Sequence, residues 1–270
     1  MDLNTVVEVV SPAEVGQWRP GDAWLGGGTA LFGEPRPHIR RLLDLAAAGW
    51  APLTVREDGL EIAATCTIAE LYDFSAAPRF EAFHAIAKGC CAAFLSSFKI
   101  WNVATVGGNI CAALPAGPMI ALMAALDGSC LILGPRGASR TVGVADFVTG
   151  DGTTVLEDGE LLRSVHLPAG SLSGLAAYRQ GSLHRHGRSA VLLIGRIARG
   201  GGLVLTVTAA TKRPFRLHFA SPPDAETLQV ALAERIPDDA YVDDVHGLPA
   251  WRRHLTRLYA EEIRQELARA

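Results

Sequence analysis

Two short runs carry residues of the right type and spacing to hold an anion: Leu25-Gly26-Gly27-Gly28-Thr29-Ala30-Leu31 and Thr105-Val106-Gly107-Gly108-Asn109. A diphosphate needs several hydrogen-bond donors at close range. Glycines let the main chain approach and take positive φ, so that consecutive N–H groups point inward as a nest. Thr29 and Thr105 add hydroxyl donors, and Asn109 an amide. Neither run contains Lys or Arg, so backbone dipoles would supply most of the stabilisation. That suits a permanently bound dinucleotide better than a hydrolysed triphosphate, which calls for lysine and magnesium. Gly26-Gly27-Gly28 does not fit the G-x-G-x-x-G fingerprint, because Leu31 stands where the last glycine is required. Asp44 reads as a strand end or turn cap rather than that motif's ribose-binding acid. Taken singly, each run also has the composition of an ordinary loop.

Other candidates carry less. His184-Arg185-His186 has no carboxylate or cysteine nearby in sequence and reads as a solvated loop rather than a metal site. Ser96-Ser97 and Cys90-Cys91 lack a local base. Cys111 reads as a small buried apolar residue and Trp101 as a packing one. The cysteines (Cys66, Cys90, Cys91, Cys111, Cys130) are odd in number and include no C-x-x-C pair. They are expected to be reduced thiols in a cytoplasmic protein.

The elements that must position the glycine runs alternate between β-rich and alanine-rich stretches. Val6 to Val10, Ala23 to Leu25 and Leu42 to Leu45 read as strands, and Ser11-Pro12-Ala13-Glu14 as a helix start. Leu53 to Val55 and Leu60 to Ile62 flank an Asp-Gly turn, a hairpin pattern. Thr67 and Glu70 have capping-box spacing. Phe80 to Phe98 has a helical rhythm, Cys130 to Gly137 reads as a strand and turn, and Thr141 to Phe147 and Leu161 to Leu167 continue a β-rich unit. Small residues from Pro168 to Gly174 mark a boundary. Beyond it lie a strand at Leu203 to Thr208 and a closing helix with Trp251, Leu255, Leu258, Tyr259, Ile263 and Leu267 on its apolar face and Arg252 largely opposite.

A hydrophobic share of 49% with 20% charged residues excludes disorder as the main state of these 270 residues. With 25 basic and 28 acidic side chains the net charge is −3, which argues against nucleic acid or an anionic membrane as partner. The most apolar stretch, Ala112 to Leu126, is interrupted by Pro115 and Pro118 and is too short for a membrane span. The start, Met1-Asp2-Leu3-Asn4, lacks the features of a secretory signal.

In combination, Leu25-Gly26-Gly27-Gly28-Thr29 followed by Val103-Ala104-Thr105-Val106-Gly107-Gly108-Asn109-Ile110 resembles the FAD-binding subunit of the molybdenum hydroxylases, the family of the carbon monoxide dehydrogenase medium subunit and the xanthine dehydrogenase flavin domain. The likeness continues through Thr141-Val142, Asp146-Phe147, Gly150, Gly159-Glu160-Leu161-Leu162 and Leu167-Pro168. It extends to Tyr178-Arg179-Gln180, Gly187-Arg188-Ser189 and Trp251-Arg252-Arg253. The resemblance implies an α+β, PCMH-type FAD-binding fold of two subdomains (about 1–52 and 53–170), then a smaller α+β domain, 171–270, with an antiparallel sheet and helices. It implies FAD as cofactor, with the two glycine runs on the pyrophosphate, Leu162 beside the flavin and Arg179 as a basic residue touching it. It further implies an iron–sulfur subunit and a large molybdopterin subunit as partners in electron transfer to an outer acceptor. The chain departs from its relatives at Ala30, where an acid is frequent, at Trp101 in place of arginine, and at Pro118 in place of an adenosine-side aspartate. It departs again at Gly150-Asp151-Gly152-Thr153-Thr154 in place of G-Y-R-K-T. A flavin-free scaffold and a stand-alone FAD-dependent oxidoreductase therefore remain alternatives. On this reading, valine at Gly107 or Gly108 expels the cofactor while leaving most of the fold, because a Cβ would block the phosphate nest.

Overall fold

The computed structural model describes residues 3–12 and 17–269. Ala13 and Glu14 of the expected first helix, and Met1 and Asp2, lie outside them.

The chain begins with a parallel three-stranded sheet of β1 (Glu8–Val10), β2 (Asp22–Leu25) and β3 (Arg41–Asp44), with β3 in the centre. Leu42 and Leu43 are buried there, and so is Arg41. The Arg41 guanidinium donates to Asp22 through Nε at 2.8 Å and Nη2 at 2.6 Å. A two-point contact of this kind offsets the desolvation of both charges, and it holds the Asp22 carboxyl below the usual range. The ion pair fixes the start of β2 against β3, so both parallel strands deliver their carboxyl ends to the same edge. The first glycine run leaves β2 there. Asp44 caps the short turn after β3, accepting from the Ala46 N–H at 3.0 Å.

A second, antiparallel sheet follows. The hairpin of β4 (Leu53–Val55) and β5 (Gly59–Ala63) leads to α1 (Ile68–Asp73), capped by the Thr67–Glu70 box. Then come α2 (Glu81–Ala92), α3 (Phe98–Trp101), α4 (Val106–Cys111) and α5 (Pro118–Ala125). The helical rhythm from Phe80 is broken before Phe98 because Leu95 takes a positive φ of 49°. Helix α5 is buried on every side, as expected for a helix that is apolar all round and lies within a core. Strands β6 (Ser129–Leu133) and β7 (Ser139–Gly143) form a hairpin. The expected strand from Thr141 to Phe147 stops at Gly143 and becomes the short helix α6 (Val144–Phe147), which buries Val144 and Phe147. A two-stranded ribbon of β8 (Val148–Gly150) and β9 (Thr153–Thr154) precedes β10 (Leu161–Pro168), completing the order β4-β5-β10-β6-β7.

After α7 (Ala169–Leu172), the meander β11 (Ala176–Gly181), β12 (Val191–Ile197), β13 (Leu203–Thr208) and β14 (Phe215–Phe219) makes a third sheet. Alternation on β12 serves two cores. Leu192 and Ile194 join the cluster around α2 and α5, while Val191 and Leu193 join the one under α8 (Ala225–Arg235) and α9 (Pro249–Arg269). Asp127, at the end of α5, ties the sheets together by accepting from Arg196, Arg216 and the Ser171 hydroxyl.

In α9 the expected polar position Arg252 is 1% exposed, whereas Leu258 is 44% exposed. The Arg252 guanidinium donates to the carbonyls of Gly247, Ala190 and Ala209 and pairs with Asp244. That satisfied cage lets a cation occupy a position where helical periodicity alone places it in solvent.

Candidate functional site: a cavity between the two glycine runs

The first run leaves β2 in a tight turn. Gly28 takes φ +73°, and a Cβ there would meet Phe32 Cδ2 at 2.6 Å. The Gly28 carbonyl accepts from the Phe32 N–H at 2.8 Å, and the Ala30 carbonyl from the Gly33 N–H at 3.2 Å. The turn is thus closed through its carbonyls. No backbone N–H from Gly26 to Leu31 donates to another described residue, and the Thr29 hydroxyl is also unpaired among them. Such a row of unpaid donors at the carboxyl end of a parallel sheet is where ligands of open sheets bind.

The second run is built differently. It is not a turn but the start of α4, with Thr105 as N-cap accepting from the Gly108 N–H at 3.0 Å. The other donors are used as well: Val106 N–H to Cys66 O at 2.8 Å, Gly107 N–H to Ala64 O at 2.9 Å, and Asn109 N–H to Thr105 O at 3.0 Å. Gly107 is glycine because Ala64 lies against it; a Cβ would stand 2.7 Å from the Ala64 Cα. Asn109 accepts from the Met119 N–H at 3.0 Å. It caps α5, whose first residue is Pro118, so a proline is well suited to that position.

These two structures meet. A Cβ on Gly27 would collide with the Val103 carbonyl, and one on Gly26 would stand 3.2 Å from Thr105 Oγ1. The β2 segment is held in this place by Trp24, whose Nε1 donates to Glu160 O at 3.0 Å. Between the runs lies a cavity of about 570 Å³. Gly26, Gly27, Gly28, Thr29, Ala30 and Leu31 line one side, and Thr105, Gly108 and Asn109 the other. Trp24, Phe94, Ile100, Ala104 and Leu114 give apolar walls. No acidic side chain lines it, and among the lining residues the single charge is that of Arg36. The Cys111 thiol at the wall is pushed up to about 12 by burial, so it is neutral and apolar near pH 7.

Five residues expected at the cofactor are not brought to this cavity. Leu25 ends β2 behind the turn. Val106 and Gly107 face the core because their N–H groups pair with the 64–66 segment. Leu162 is buried among the core residues under the second sheet. Arg179 lies on β11 and is engaged by α9, with Nε on Glu262 and Nη2 on Glu266, each at 2.7 Å. The glutamates follow one helical turn apart, a spacing visible in the sequence once β11 and α9 are known to be adjacent.

Arg36 and Trp24 were missed. Arg36 lies in Glu34-Pro35-Arg36-Pro37, outside the glycine run, and prolines on both sides give no signal for a cavity. Among the described residues its Nε is buried without a hydrogen-bond partner and its only ion pair is to Glu34 at 4.0 Å. The unused N–H row, the absence of acids and the apolar flanks all fit a flavin dinucleotide: an anion between two ring systems.

The residues 14–170 match the family model described as the FAD binding domain in molybdopterin dehydrogenase, and the chain belongs to this family. Among curated relatives it is 35% identical over 123 residues to a xanthine dehydrogenase of Oryza sativa subsp. japonica, covering 43% of this chain and 9% of that protein. It is 32% identical over 149 residues to the xanthine dehydrogenase FAD-binding subunit of Escherichia coli O157:H7, covering 53% of this chain and 49% of that one. The matched region thus spans half or less of these relatives. Its fold is that of a chain in the reconstituted CO dehydrogenase from Oligotropha carboxidovorans, with a TM-score of 0.82 at 21% identity over 100% of both chains. A chain of quinoline 2-oxidoreductase from Pseudomonas putida 86 aligns with a TM-score of 0.78 at 19% identity, over 100% of this chain and 99% of that one.

Proposed function

We propose that this chain is the FAD-binding electron-transfer subunit of a molybdenum hydroxylase-type oxidoreductase, standing between a partner iron–sulfur subunit and an outer electron acceptor. A large molybdopterin subunit is the expected site of substrate oxidation. The observation that carries the reading is the cavity itself: Gly26 to Leu31, whose N–H groups have no partner among the described residues, line it opposite Thr105, Gly108 and Asn109, with no acidic side chain between them. When bound there, FAD supplies the redox chemistry, exchanging electrons singly or in pairs.

The protein's own part is binding and exclusion. The Gly26–Leu31 amides and the Thr29 hydroxyl would hold the diphosphate, with the Asn109 side-chain NH2, which has no partner among the described residues, opposite. Trp24, Phe94 and Ile100 keep water from its flanks. None of the lining side chains is a carboxylate, a histidine or an ionised thiol, so the site has no proton-transfer machinery of its own. We assign the FAD unit to residues 1–170 (subdomains about 1–52 and 53–170), and 171–270 to a C-terminal domain. The five cysteines are all free, which supports a cytoplasmic setting. Among the described residues no helix is long and apolar enough to cross a membrane.

The test is to purify the chain and record its visible spectrum and flavin content. A flavin spectrum with close to one FAD per chain is expected, together with co-purification of iron–sulfur and molybdopterin subunits from the native source. A colourless chain that takes up no added FAD contradicts the proposal; a flavin-loaded chain without those partners favours a free-standing flavoprotein.

A further inference from the structure

We infer that Arg36 is a diphosphate-binding residue of the FAD cavity, with the exposed Glu34 carboxylate as a weak competitor for its guanidinium. The inference rests on the FAD reading and adds to it a side chain that neither glycine run supplies. Three observations lead to it. Arg36 brings the single charge among the residues lining the cavity. Its Nε is buried and has no partner among the described residues, a state that leaves a desolvated donor unpaid until something accepts from it. Its one ion-pair partner among the described residues is weakly engaged: Nη2 lies 4.0 Å from Glu34 Oε2, and the Glu34 side chain is 79% exposed. Such a pair contributes little in water.

A guanidinium offers donors in a planar fork that fits two phosphate oxygens at once. Backbone amides contribute only partial charges, so a dianionic diphosphate in an otherwise neutral cavity retains uncompensated charge. Arg36 removes part of it. The Arg36 side chain is 38% exposed, so this attraction is partly screened by solvent and depends on salt. Glu34 competes from the solvent side, so its removal favours the ligand.

The experiment titrates the full apo-chain with FAD and with riboflavin, which lacks phosphate, following flavin fluorescence at about 20 mM and about 500 mM salt. Arg36→Gln is expected to weaken FAD binding at least about tenfold at low salt, with a smaller loss at high salt and riboflavin affinity unchanged. Arg36→Lys restores part of the FAD affinity. Glu34→Gln, at an exposed position, tightens FAD binding about two- to fivefold at low salt and has no effect at high salt. This arm decides the matter if the melting temperature of apo Arg36→Gln shows that it does not fold. Equal losses for FAD and riboflavin, or FAD affinity unchanged in Arg36→Gln, overturn the inference while leaving the FAD reading in place. A wild-type chain that binds no FAD overturns the reading beneath it.

Discussion

The two glycine runs look alike in sequence and do opposite things in the fold. From Gly26 to Leu31 the main chain uses its carbonyls to close the turn and leaves its N–H groups unpaired among the described residues; from Val106 to Asn109 every N–H is already bonded inside the protein. Glycine serves the first run by allowing a positive φ at Gly28 and close passage of Gly27 beside Val103. It serves the second by removing a side chain from a helix that lies directly on Ala64. A glycine pair beside a ligand can therefore be part of the binding surface or part of the scaffold that brings another surface close. Hydrogen-bond accounting, rather than composition, separates the two.

The largest effect expected is at Gly107. Valine there meets the Ala64 backbone, so the apo-chain should lose about 3 kcal/mol or more of stability, read by urea denaturation without FAD. This replaces the expectation from sequence that valine would expel the cofactor and spare the fold. A stable Gly107→Val apo-chain would put the second run back among the phosphate loops. Next comes the clasp that holds the third sheet to the rest. At Asp127, burial opposes the charge, but the Ser171 hydroxyl and the Arg196 and Arg216 guanidiniums outweigh it, so the carboxyl titrates below its usual range. Its contribution is then fully present above the unfolded-state pKa and lost as pH falls through the lowered folded one. Asp127→Asn should cost about 2 kcal/mol near neutral pH, less than a fully buried pair because the carboxylate stays partly hydrated. Wild type and variant should converge in acid; a difference that persists unchanged below about pH 3 would contradict the assignment.

Thr105→Ala sharpens the contrast from the scaffold side. It removes the N-cap of α4 and should lower stability by about 1 kcal/mol, with weaker FAD binding because Gly108 and Asn109 ride on that first turn. Thermal melts of apo- and FAD-loaded protein measure both. Gly108→Ala has the smallest effect on the fold, within about 1 kcal/mol, since alanine favours the helix. Its Cβ would stand 2.9 Å from Thr105 Oγ1, so the cap must shift and FAD affinity should fall, while stability stays within that margin. The same stability with undiminished affinity would remove Gly108 from the site.

Much of this was legible in the sequence. The β2–glycine junction, the hairpin at Leu53 to Ile62, the Thr67–Glu70 box and the Asp44 cap rest on local chemistry, and the structure has them. The pairing of the two runs around one cavity was implied by the resemblance to the FAD-binding subunit of the molybdenum hydroxylases. What could not be read depends on contacts distant in the chain. Ala64 and Cys66 take the donors of the second run. Glu262 and Glu266 draw Arg179 to α9. The carbonyls of Ala190 and Ala209, with Asp244, turn Arg252 from a surface residue into a buried one. Arg36 reaches the cavity from a proline-flanked segment with no periodicity to announce it.

The most direct test is amide hydrogen exchange, resolved by residue, on the apo-chain and on the chain saturated with FAD. The Gly26 to Leu31 amides should exchange rapidly in the apo-chain and become protected with FAD, whereas Val106 and Gly107 should be protected in both. Protection gained at Val106 and Gly107 on FAD binding, with Gly26 to Leu31 exchanging as fast as before, would contradict this assignment of the two runs.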